Sequence, residues 1–152
     1  TFVRFTTTSY MKAMLPFKHA IPIQIRFSDI DRLNHVNNAV YHQYVELGRV
    51  NYFNTVLKDL VDWNLQGFVL ARTEMDFLIS LTFGQNLMCY SRVYEIGNKS
   101  LKTETHLYCV EEEPKLAVLC KGVLVCMDYV QNKSILIPEI WRTKIYAYEG
   151  IS

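Results

Sequence analysis

The stretch from Arg26 to Tyr41, RFSDIDRLNHVNNAVY, constrains this chain more than any other. It joins an alternating run to a run of helical period through a loop crowded with Asp, Asn and His. Ile23, Ile25 and Phe27 alternate with Gln24, Arg26 and Ser28, which predicts a half-buried strand over Ile21 to Ser28. Beyond the loop, Tyr41, Tyr44, Val45, Gly48, Tyr52 and Val56 recur at helical spacing, with Gln43, Glu46, Arg49 and Asn54 on the polar side. Asn37 or Asn38 is the natural N-cap, because an Asn oxygen accepts from the free N–H groups of a first turn. A helix is therefore predicted from about Ala39 to Leu57. Such a junction sets a carboxylate beside a helix N-terminus, where unpaired N–H groups and the helix dipole favour negative charge.

After Gly67 the character changes to strands. Runs over Phe68–Phe77, Asn86–Ile96 and Leu101–Val110 are predicted, with Gly97-Asn98-Lys99 as a tight turn making the last two a hairpin. Leu116–Val130 is long, apolar and rich in Val, which suits the central strand of the sheet. Pro138 opens a short C-terminal helix. One helix followed by four strands in hairpin-like succession points to an α+β arrangement, an antiparallel sheet of about five strands wrapped around the helix. The 152 residues fit one domain over 21–152. Residues 1–20, basic and free of acidic side chains, are set apart as an N-terminal extension.

A net charge of +1 without a Lys/Arg block gives no footing for nucleic acid. No apolar run reaches the roughly 18 residues that would span a membrane. Cys89, Cys109, Cys120 and Cys126 lie in apolar runs without a CxxC pair, so buried reduced thiols and a cytoplasmic location are expected. Neither HExxH nor paired Cys/His spacing occurs, so no metal is expected.

The loop residues carry the chemistry. A carboxylate able to attack, or to activate water, beside a ready-made oxyanion site suggests acyl-transfer hydrolysis. Asp31 also fits a turn cap, a frequent task for Asp. Asp29 fits a structural role, holding the loop by hydrogen bonds. His35 fits either a general base or a loop histidine bonded to backbone. Asn37 and Asn38 fit capping, and the Asn38 side chain could instead turn toward a substrate. Tyr41, Tyr44 and Tyr52 read as core packing.

Phe27-Ser28-Asp29-Ile30-Asp31, then His35-Val36-Asn37-Asn38, then Tyr41 and the helix through Arg49 resemble the hotdog-fold acyl-CoA thioesterases of the 4-hydroxybenzoyl-CoA thioesterase-like branch. The resemblance runs in register to Pro138 and covers about four-fifths of the chain. It implies a hotdog fold and hydrolysis of an acyl-CoA to a free acid and CoA, with no cofactor. By matched position, Asp31 is the catalytic carboxylate, and the N–H of Asn38 polarises the thioester carbonyl. His35 joins them as a candidate catalytic residue. Asn37 and Tyr41 are assigned to substrate binding. Lys99 and Ser100, on the hairpin turn, would meet the nucleotide part of CoA. The resemblance further implies a homodimer or homotetramer with pockets shared between subunits, the sheet face carrying Leu116, Val118 and Cys120, or its opposite, pairing across the interface. Acyl carrier protein thioesterases share His35-Val36-Asn37-Asn38 and give a rival substrate. A dehydratase and a non-catalytic acyl-CoA binder are further rivals.

Overall fold

The computed structural model describes residues 16–151 of the chain. Most of the segment set apart as an extension, residues 1–15, lies outside the described residues. Phe17 is buried, and β1 (His19–Gln24) already begins at His19. The strand stops at Gln24 rather than running to Ser28. The Asp29 carboxylate folds back to accept from the Arg26 amide at 2.8 Å, and Phe27–Asp29 coil into a 3₁₀ turn. Ile25 is buried as alternation requires, but Phe27 is thrown outward and is 81% exposed.

The central helix α1 spans Asn38–Val56. Asn37 is its N-cap, its side-chain oxygen accepting from the Ala39 amide at 2.9 Å. One face, through Tyr41, Tyr44, Val45, Gly48 and Tyr52, is buried against the sheet. Gly48 is the point of closest approach. A Cβ there would stand 2.3 Å from the Cys89 sulfur, so only glycine lets helix and strand meet at this distance.

Among the described residues four longer strands follow the expected ranges closely, β2 (Gln66–Phe77), β3 (Asn86–Ile96), β4 (Ser100–Val110) and β5 (Pro114–Asp128), with β1 before them and the two-residue β6 (Lys133–Ser134) after. All pairings are antiparallel, in the order β1-β3-β4-β5-β2, with β6 on β5. Two expectations need correcting. β2 does not form a hairpin with β3; it crosses to the far edge and pairs with β5. The middle of the sheet is β4, whose Leu101, Thr103, Thr105, Leu107 and Cys109 all point inward in strict alternation.

Among the described residues the buried ones form two clusters along α1. One, around Tyr41, Tyr44, Leu81 and Leu107, underlies the helix N-terminus. The other, around Tyr52, Phe53, Leu124 and Trp141, is closed by the C-terminal helix α2 (Glu139–Glu149). Trp141 donates to the Leu60 carbonyl at 3.0 Å, and the Tyr52 hydroxyl and Val93 amide both donate to Glu149, at 2.6 and 3.1 Å. This is the α+β hotdog arrangement: an antiparallel sheet curled around one long helix. The four cysteines are free and buried, and burial pushes the Cys89 thiol up to about 12. Among the described residues no helix is long and apolar enough to cross a membrane.

Candidate active site

The loop between β1 and α1 is fixed from several directions before any chemistry is considered. Asp29 is 2% exposed and accepts from Arg26 Nε at 3.0 Å and from the Tyr44 hydroxyl at 2.5 Å. Burial alone would raise its carboxyl, but the bonds from Arg26 and Tyr44 outweigh that and hold it below the usual carboxylate range. The Asp29 carbonyl accepts from the Asn37 amide at 2.9 Å, and the Val36 amide donates to the Leu81 carbonyl at 2.8 Å. Strand end, helix cap and the segment after β2 are thereby tied into one frame.

Asp31 opens a closed turn within that frame. Its amide donates to the His35 carbonyl at 2.8 Å, and its carbonyl accepts from Asn34, which sits in the left-handed region at φ 63°. Oδ1 accepts from the amides of Leu33 at 2.8 Å and His35 at 3.4 Å. The turn-capping task is therefore real, but it occupies one oxygen. Oδ2 has no hydrogen bond among the described residues.

The same economy holds at the helix mouth. Of the first amides of α1, Ala39 donates to the Asn37 side chain and Val40 to the Asn37 carbonyl at 2.8 Å. The Asn38 amide has no acceptor among the described residues. By the geometry of a helix start it points along the axis toward the loop, at the positive end of the dipole.

A cavity of about 410 Å³ lies against this mouth. Asp31, His35, Asn37, Asn38 and Tyr41 line it together. Its apolar wall comes from Leu33, Val36, Phe77, Leu78 and Ile79, with Ser80 completing the rim. The four residues from Phe77 to Ser80 were missed in the sequence. They reach the mouth because β2 ends there on β5, with the Leu78 amide donating to the Ala117 carbonyl at 2.8 Å. Lys99 and Ser100 are not in this group. They sit on the β3–β4 turn, where Lys99 Nζ faces Ser134 at 3.4 Å and the Ser100 carbonyl accepts from Gly97 at 2.7 Å. Leu107, in the cluster beneath the helix mouth, is seven residues further along β4 from Ser100, a span of roughly 24 Å in a strand. Among the described residues no group of three or more His, Cys, Asp or Glu side chains could hold a metal ion.

A model of the thioesterase-like superfamily matches residues 25–145. The chain belongs to that superfamily. The match begins just before the Asp29–Asp31 loop and ends inside α2, so it takes in α1 and the longer strands after it. This superfamily member is a thioester hydrolase. It is similar to a thioesterase of Thermus thermophilus, crystallised as a complex with coenzyme A and Zn, at 32% identity and a TM-score of 0.78 over 91% of this chain and 99% of that one. A thioesterase superfamily structure from Jannaschia sp. CCS1 shares the fold at a TM-score of 0.85 with 18% identity, over 95% of this chain and 91% of that one. Among curated proteins it is similar to a chloroplastic acyl-acyl carrier protein thioesterase of Arabidopsis thaliana, at 26% identity over 88% of this chain and 70% of that protein.

Proposed function

We propose that this thioester hydrolase acts on acyl-CoA, with Asp31 and the Asn38 amide as its working pair. Two unspent groups coincide on one cavity. Asp31 Oδ2 and the Asn38 N–H both lack a protein partner among the described residues, and both residues line the 410 Å³ space. A thioester with its carbonyl oxygen on the Asn38 N–H would place its carbon near the carboxylate, and the helix dipole would stabilise the developing oxyanion.

Two routes balance. In one, Asp31 Oδ2 takes a proton from water while the water oxygen bonds to the carbonyl carbon. The C–S bond then breaks, and the proton passes to the departing thiolate. In the other, Oδ2 itself attacks, the thiolate leaves, and water cleaves the resulting anhydride. Single-turnover hydrolysis in oxygen-18 water separates them: label entering the Asp31 carboxylate marks direct attack. His35 and Asn37 serve the site by shaping it, Asn37 through the cap that leaves the neighbouring amide free.

Coenzyme A rather than acyl carrier protein is favoured by the Thermus relative, crystallised with coenzyme A at the higher identity. Release of free thiol from acetyl-, hexanoyl-, palmitoyl- and benzoyl-CoA, measured beside the same acyl groups on acyl carrier protein, tests the assignment. Faster turnover of the protein-borne substrates would overturn it.

We further infer a homo-oligomer. The face of β5 bearing Val118 and Cys120 is covered by the chain's own helix and is not free to pair. Among the described residues the outer edge of β2 is unpaired instead, with Val69, Leu70 and Phe77 exposed, and an uncapped edge of this kind is a template for another strand. Lys99 and Ser100 could then meet the CoA nucleotide only from a second subunit. A light-scattering mass of one chain would contradict this. The four protonated, buried thiols suit a reducing cytoplasm.

A further inference from the structure

Tyr41 has a hydroxyl that does half of what a buried hydroxyl can do. The side chain is 2% exposed, on the first turn of α1, one turn after Asn38 and so on the same helix face. Its ring is clamped edge-on by Tyr44, with centroids 6.2 Å apart, and by Phe77 at 5.4 Å. The Leu81 amide donates to the hydroxyl oxygen at 3.2 Å. The hydroxyl proton has no acceptor among the described residues. A buried donor left without a partner is costly, so a well-packed protein keeps one where something else completes it. Tyr41 lines the cavity that holds Asp31 and Asn38.

We propose that the Tyr41 hydroxyl is the second donor to the thioester carbonyl oxygen, completing with the Asn38 N–H a two-donor oxyanion site built on one helix turn. This rests on the acyl-CoA hydrolase reading above and makes Tyr41 a catalytic residue rather than core packing. On either route the carbonyl π pair moves onto oxygen as the new C–O bond forms, and returns as the C–S bond breaks. Tyr41 keeps its proton throughout. The Leu81 amide fixes the phenol oxygen, so the remaining O–H has one direction to serve, and a bond accepted at that oxygen polarises the O–H as a donor. Burial, and secondarily the charge of Asp31, raise the phenol above its ordinary value despite the Leu81 bond, keeping it protonated.

The test uses the full chain and whichever of the four CoA thioesters turns over fastest. Tyr41→Phe keeps the ring packing and should lower kcat roughly 10²–10³-fold, the usual loss for one oxyanion donor, with KM changed only a few-fold. Because this variant also strips the Leu81 amide of its acceptor, a second one decides between chemistry and packing. A trifluorotyrosine at position 41 keeps the oxygen and the Leu81 bond but is a more acidic phenol. Its kcat should fall at alkaline pH where the wild type does not, since only the protonated phenol donates. A Tyr41→Phe kcat within threefold of wild type, or a trifluorotyrosine enzyme with an unmoved alkaline profile, would overturn the proposal while an inactive Asp31→Asn left the underlying reading standing. An active Asp31→Asn would overturn both.

Discussion

Tyr44 reaches back from the second turn of α1 to place its hydroxyl 2.5 Å from the buried carboxylate of Asp29, two residues before Asp31. This bond is the inner half of a clamp whose outer half is Arg26, and it holds the loop that presents Asp31 to the helix mouth.

Tyr44→Phe should cost about 1.5–3 kcal/mol, the range for a hydrogen bond to a charged group, measured by urea unfolding at neutral pH. The sign of the pH dependence follows from the same clamp. The folded Asp29 carboxyl lies below its unfolded value, so its contribution is fully present above the unfolded pKa and is lost as pH falls through the folded one. The variant should therefore lose less stability than wild type on acidification below about pH 4.

Gly48→Ala should push α1 off β3, because the new methyl would sit 2.3 Å from the buried Cys89 sulfur. The expected loss is about 1–3 kcal/mol, as for other overpacked sites. Adding Cys89→Ala removes that sulfur, so the double variant should lose less than the two single changes summed. Thermal midpoints of the four proteins check this.

His19 and His106 share an arrangement with a pH consequence. Each uses Nε2, toward Asn51 Oδ1 at 2.9 Å and Glu104 Oε1 at 2.8 Å, and each leaves a buried Nδ1 without a partner among the described residues. Burial lowers both below the ordinary histidine value, against the raising effect of those partners. A lowered folded pKa means the neutral form is favoured, so stability falls as pH drops from about 6.5 toward the folded values. His19→Gln and His106→Gln should each flatten the loss between pH 7 and 5 relative to wild type. Comparing variants with wild type also removes the opposing background of Glu149, whose carboxyl burial raises.

The loop, the helix and their cap were legible in the sequence because the chemistry there is local. Asp31, His35, Asn37, Asn38 and Tyr41 lie within eleven residues, and the cap and the turn are short-range bonds that residue types announce. Phe77 to Ser80 were not legible, since their place at the mouth depends on β2 crossing the sheet to pair with β5, a partner about fifty residues away. The alternation that predicted an inward Phe27 failed because the Asp29 carboxylate folds back onto the Arg26 amide and Phe27–Asp29 coil into a 3₁₀ turn, which ends the strand's period of two. Lys99 and Ser100 came from resemblance alone, and the fold of one chain sets them far from the cavity.

The thiols give a separate check. With Cys89 pushed up to about 12 and Cys126 to about 11 by burial, and all four sulfurs enclosed, a disulfide-exchange reagent at pH 8 should label the native protein slowly. All four should react at once in denaturant.

Hydrolysis depends on Asp31, and the most direct measurement is the turnover number of Asp31→Asn on the fastest acyl-CoA, taken beside its thermal midpoint. The substitution keeps the oxygen that caps the turn, so the midpoint should hardly move while kcat falls roughly 10²–10⁴-fold, as for loss of a general base. A folded Asp31→Asn enzyme turning over at near the wild-type rate would contradict it.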